Sequence, residues 1–100
     1  MAVGMLMMMP GVTQDQYEAV NKRMFGGEMT PDKAPDGLIM HSAGPAGDGW
    51  YIYDVWESKE HFGRFAEEQV QPAVREVMGD AAAGGAQPEF YEIANLVHGR

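Results

Sequence analysis

The sequence contains no cysteine, which excludes disulfides, thiolate nucleophiles and Cys-based zinc or iron–sulfur sites. Basic residues are scarce: seven Lys and Arg face fifteen Asp and Glu, for a formal net charge of −8 at pH 7. Such a field repels phosphate backbones and anionic lipid, so neither nucleic acid nor a membrane is expected as a partner. Long hydrophobic runs are also missing. The apolar opening from Met1 to Met9 is too short to span a bilayer and lacks the basic start and cleavage pattern of a signal peptide. A reducing cytoplasm is the expected location. There is no P-loop, Rossmann fingerprint or G-x-S-x-G elbow, and His41, His61 and His98 are too scattered to form a metal motif. No cofactor or metal is therefore expected.

What is present fits a globular α+β chain. Its 100 residues, 45% of them hydrophobic, are expected to form one domain over 1–100. A chain this short leaves much surface unburied, so a second subunit is a natural source of additional core. Val3 to Met9 reads as a first strand and holds four of the nine methionines, whose flexible thioethers suit either core filling or an adaptable apolar cavity.

Pro10-Gly11 ends that strand. Thr13 with Gln16 forms a T-x-x-Q capping box, and Tyr17, Val20, Asn21 and Met24 recur along one side of a helix ending near Phe25. The polar run from Glu28 to Gly37, with Pro31 and Pro35, predicts a loop. Leu38 to Ala43 and Trp50 to Trp56 read as a hairpin turning through Gly44 to Gly49. Ser58 caps a second helix whose apolar stripe runs from Phe62 to Val77. Pro72 predicts a break near Gln69 to Gln71. After a loop from Gly79 to Pro88, Phe90 to Val97 reads as the last strand. The order β-α-β-β-α-β is that of a ferredoxin-like plait, two helices on one face of a four-stranded antiparallel sheet. Apolar residues on both parities of its strands leave the other face in need of cover, which a homodimer formed through the sheet face would supply.

Within this frame His41 is the leading candidate for acid–base work, a titratable imidazole in an otherwise apolar strand. If Gly44 pairs with Tyr51, His41 faces Asp54 across the hairpin. If Gly44 pairs with Trp50, it faces Tyr53, because a one-residue slip reverses the facing set. Asp54 is a charge in a buried-looking strand and demands a partner. Trp50 and Trp56 share its parity and could stack a planar ligand. Tyr17 on the first helix and Asn95 in the last strand are further candidate donors to a ligand oxygen. Each of these side chains also has a purely structural reading, as core packing or dimer seam.

The run Asp54-Val55-Trp56-Glu57-Ser58-Lys59-Glu60-His61-Phe62, followed by Phe65 and Pro72, resembles the strand-three to helix-two passage of the dimeric α/β-barrel superfamily, close to its antibiotic-biosynthesis-monooxygenase-like members. Gly37-Leu38-Ile39-Met40-His41 and Gly49-Trp50 are similar to small actinobacterial proteins of that group. The resemblance implies a homodimer whose two sheets form a shared barrel, with a pocket for a small apolar or aromatic molecule. It further implies a cofactor-independent monooxygenase of planar aromatic or polyketide-like substrates, with a non-catalytic ligand-binding or assembly protein as the alternative and haem binding as a third. The oxygenases often carry an asparagine on the first strand, which Val3 to Met9 lacks. Haem-degrading relatives use a histidine in the second helix, which His61 matches poorly.

Overall fold

The computed structural model describes residues 2–80 and 87–99. Its strands are β1 (Val3–Met9), β2 (Leu38–Ala46), β3 (Gly49–Trp56) and β4 (Glu89–Glu92), and its helices are α1 (Gln14–Phe25), α2 (Lys59–Phe65) and α3 (Gln71–Met78). The strands form one antiparallel sheet in the order β2-β3-β1-β4, so the ferredoxin-like βαββαβ topology holds. The barrel does not. The sheet is open, with β2 and β4 as unpaired edges, and four strands are too few to close on themselves when barrels need about eight to enclose a packed interior.

Local chemistry explains most boundaries. Thr13 Oγ1 accepts from the Gln16 N–H at 3.2 Å and Gln16 Oε1 accepts from the Thr13 N–H at 3.0 Å, a complete capping box at the start of α1. Ser58 caps α2 by accepting from the His61 N–H. The two-residue hairpin turn falls at Gly47-Asp48, where Gly47 takes φ +59°. β2 thus runs three residues past the expected Ala43. Pro45 is tolerated because β2 is an edge strand, where a missing donor costs no ladder bond. The break expected near Gln69 to Gln71 appears as a π-helical turn over Ala66–Val70, followed by Pro72 in the first turn of α3.

β4 is shorter than expected and stops at Glu92. It pairs outward along β1 until Val3 meets Glu92, and Ile93 still donates to the Ala2 carbonyl at 3.1 Å. Most of the loop predicted between Gly79 and Pro88 lies outside the described residues.

Pairing fixes two faces. Met5, Met7, Ile52, Asp54, Trp56, His41 and Phe90 share the side that receives the helices. There Met5, Trp56, Phe62 and Phe65 form the buried cluster, with Leu38, Val70 and Phe90 packed around it. Trp56 meets Phe62 edge-on at 5.6 Å between centroids. Leu38 reaches this face through a bulge: it pairs with Trp56 while Met40 pairs with Val55, so the intervening residue resets the alternation. The opposite face carries Leu6, Met8, Met40, Tyr51, Tyr53 and Tyr91, with Met8 and Tyr91 each 51% exposed and Met40 43%. Among the described residues no helix is long and apolar enough to cross a membrane.

Candidate functional site

Gly44 pairs with Tyr51, and that register sets His41 directly opposite Asp54. Opposite Asp54, His41 turns toward the helices, and the bulge before Met40 brings Leu38 to the same face. His41 Nδ1 lies 2.7 Å from Asp54 Oδ1, and the Trp56 Nε1–H donates to Asp54 Oδ2 at 3.1 Å. Asp54 is only 4% exposed, and both of its oxygens are used. A buried carboxylate needs such partners, since an unpaired charge at this depth would be strongly disfavoured. As a carboxylate it can only accept, so the proton shared with His41 belongs on Nδ1, and in the neutral imidazole Nε2 is left as an acceptor.

That acceptor is occupied. The Tyr17 hydroxyl lies 2.8 Å from His41 Nε2, with the two ring planes only 9° from parallel. Tyr17 projects from the first turn of α1, whose position is set by the Thr13 cap. Burial raises the pKa of its phenol. A hydrogen bond from Asn21 opposes this, and the carboxylates of Asp54 and Glu28 add to the rise. The phenol therefore stays protonated at neutral pH and donates to Nε2. The result is a directional line of hydrogen bonds, Tyr17 to His41 to Asp54, with Trp56 bracing the far carboxylate oxygen.

Two cavities meet at this line. One, of about 630 Å³, lies between sheet and helices and is lined by apolar side chains including Met5, Met7, Met24, Phe62 and Phe65, with His41, Asp54 and Tyr17 at its polar corner. The other, of about 660 Å³, opens between α1 and the β2–β3 hairpin and is bordered by Glu18, Lys22, Glu28, Ser42, Gly44 and Trp50. Tyr17, Asn21, Met29 and His41 line both.

His41, Asp54 and Tyr17 are thus brought together. Trp50 borders the second cavity and packs against Tyr17 at 5.3 Å between centroids. Trp56 is fully enclosed and lines neither cavity, so its place is in the core behind Asp54 rather than on a ligand wall. Asn95 lies beyond the end of β4, exposed and in neither lining. His61 also lines neither cavity. Its Nδ1 lies 2.6 Å from Ser58 Oγ and its ring packs over Gly37. Asn21 is the residue the sequence reading passed over. It is 8% exposed and sits at the cavity wall, and the available signal was an amide inside the apolar stripe of α1. No group of three or more His, Asp or Glu suited to a metal ion occurs among the described residues.

No family model matches the chain, and no curated protein matches it in sequence. Among solved structures, the fold resembles that of a monooxygenase from the gene ActVA-Orf6 of Streptomyces coelicolor, in complex with the ligand nanaomycin D. The TM-score is 0.56 at 16% sequence identity, over 99% of this chain and 92% of that one. At that identity the likeness is one of fold.

Proposed function

We propose that the protein binds a small planar aromatic molecule bearing a hydroxyl group in the methionine-lined cavity, and oxidises it with molecular oxygen without a cofactor. The observation that carries this reading is the Tyr17 hydroxyl at 2.8 Å from His41 Nε2: a phenol already rests on this imidazole, in a geometry suited to proton transfer. His41 accepts the proton of the bound hydroxyl at Nε2. Asp54 holds Nδ1–H and stabilises the imidazolium that forms. The electron-rich aromatic anion then supplies electrons to oxygen, while the apolar walls position it and exclude water. For an activated methylene the balance is one CH₂ and one O₂ giving one C=O and one H₂O. Kinship of fold with a monooxygenase that holds nanaomycin D supports this choice of substrate class.

Nanaomycin D and 1,8-dihydroxyanthrone are the test compounds. Quenching of the tryptophan fluorescence by nanaomycin D measures binding, and an oxygen electrode measures turnover of the anthrone. The expected result is saturable quenching, one O₂ consumed per anthrone, and a loss of roughly 10²-fold or more in rate for His41→Ala. Saturable binding with no oxygen uptake above buffer would make the protein a binder instead, a reading favoured by the complete pairing of both imidazole nitrogens. Absence of both binding and turnover would end both readings.

The exposed sheet face supports self-association. Met8, Met40 and Tyr91 on that face are each more than two-fifths exposed, an apolar surface of the kind a second copy covers. Light scattering at micromolar concentration is expected to give twice the 11.0 kDa chain mass; a value of one chain mass would remove the pairing.

A further inference from the structure

Tyr17 is placed as a partition. It lies in the wall common to both cavities, and its hydroxyl occupies the only imidazole nitrogen that Asp54 leaves open. A ligand hydroxyl and the Tyr17 hydroxyl therefore compete for the same atom, His41 Nε2. Beside Tyr17 stands Trp50, 8% exposed, whose Nε1–H is buried and has no acceptor among the described residues. An enclosed donor without a partner is uncommon in a finished core, and its indole packs against the Tyr17 ring at 5.3 Å between centroids. Both features belong to a closed arrangement that a ligand completes by displacing a side chain.

We propose that Tyr17 is a displaceable occupant of the site: an aromatic ligand donates its own hydroxyl to His41 Nε2, Tyr17 swings aside, the two cavities join, and Trp50 Nε1–H becomes available to an acceptor or to water. This rests on the reading that an aromatic hydroxyl binds at His41. It assigns Tyr17 the role of an internal competitor, whereas a wall residue or a proton donor to the ligand would assist binding. The two roles predict opposite signs for its removal. Ligands that lack a hydroxyl do not compete for Nε2 and are indifferent to the Tyr17 oxygen.

The test uses the full chain, its Tyr17→Phe variant, and two probes, 1-naphthol and 1-methoxynaphthalene, titrated by fluorescence. Tyr17→Phe keeps the ring and removes only the competing oxygen. It is expected to bind 1-naphthol at least fivefold more tightly than the parent chain, with 1-methoxynaphthalene changed less than twofold. Weaker or equal binding of 1-naphthol by Tyr17→Phe would overturn the proposal. A second measurement needs no ligand: exchange of the Trp50 indole proton with water, followed by nuclear magnetic resonance, is expected to accelerate at least tenfold in Tyr17→Ala and to stay slow in Tyr17→Phe. Unchanged exchange in the alanine variant would show that Tyr17 does not cover Trp50 and would overturn the partition. If neither chain binds either probe while the exchange result holds, the aromatic-ligand reading has failed and the displacement falls with it, yet Tyr17 stands as the cover of Trp50.

Discussion

Replacing Asp54 separates the roles of charge and shape in the hydrogen-bond line. Asp54→Ala leaves two buried donors, His41 Nδ1–H and Trp56 Nε1–H, without their acceptor. Each such orphan costs about 1–3 kcal/mol, so a loss of ~2–6 kcal/mol is expected, a large share of the 5–15 kcal/mol typical of a whole domain. Asp54→Asn is isosteric and offers one oxygen and one NH₂. The Trp56 indole is a fixed donor, so the oxygen must face it, and the NH₂ then confronts His41 Nδ1. The imidazole accommodates this only by moving its proton to Nε2, and the Tyr17 oxygen changes from donor to acceptor.

Every group stays paired in that arrangement, but the two bonds to the carboxylate lose their charge. The difference between charged and neutral bonds is about 1 kcal/mol each, so Asp54→Asn is expected to lose ~2 kcal/mol, equivalent to roughly 8–16 °C in Tm for a chain of this size. Urea unfolding followed by tryptophan fluorescence gives the free energies, and long-range ¹H–¹⁵N correlation of the imidazole gives the protonated nitrogen. The reasoning fails if His41 carries its proton on Nε2 in the parent chain, if that proton does not move in Asp54→Asn, or if the asparagine variant is as stable as the parent.

Other outcomes follow from single features. The raised pKa of Tyr17 means that the unfolded chain releases this proton first as pH climbs. Its contribution to stability is thus fully present below the ordinary tyrosine pKa of 10.0 and is lost as pH rises toward and through the folded value; absorbance titration at 295 nm of the parent and Tyr17→Phe should show a late phase that is smaller by one phenol in the variant, the remainder belonging to Tyr91, which Glu89 also raises. Gly37→Ala is expected to cost about 1–3 kcal/mol in urea unfolding, because Gly37 holds φ +88° and an added Cβ would stand 2.4 Å from the His61 ring; an unchanged midpoint would refute this. Thr13→Ala should lose about 1 kcal/mol with the capping box, and Thr13→Ser should recover most of it.

The sequence shows those features whose cause is local. The Thr13–Gln16 cap, the apolar first strand and the Pro72 break each depend on a few neighbouring residues, and the structure contains them. The hairpin register was only half legible, because six residues from Gly44 to Gly49 contain several competent turns, and Asp54 gains His41 in only one of them. The extra residue between Leu38 and Met40 leaves no mark in composition, yet it decides which side Leu38 takes. Parity puts Trp56 on the same face as Asp54, and the strand pairing has it there. It could not tell that Phe62 and Phe65 would seal the indole there. Nor does spacing reveal that the Tyr17 hydroxyl, 24 positions before His41, ends on its Nε2; that contact is made by packing α1 across the sheet.

The π-helical turn over Ala66–Val70 gives the chain a reserve of length. A turn of this kind holds one residue more than an α-helical turn of the same reach, so the segment beyond it keeps its azimuth whether the surplus residue is present or not. Shortening the chain by one residue inside Ala66–Val70 would remove the surplus while Pro72 still interrupts the ladder ahead of α3, with Ala73 still pressed inward and Glu76 still able to meet Arg23, its ion-pair partner at 2.5 Å. The same deletion between Lys59 and Phe62 would instead turn Phe62 by about 100° relative to Ser58, out of the cluster that shields Asp54. Changes in length along this arm can therefore accumulate in one place and leave the site untouched.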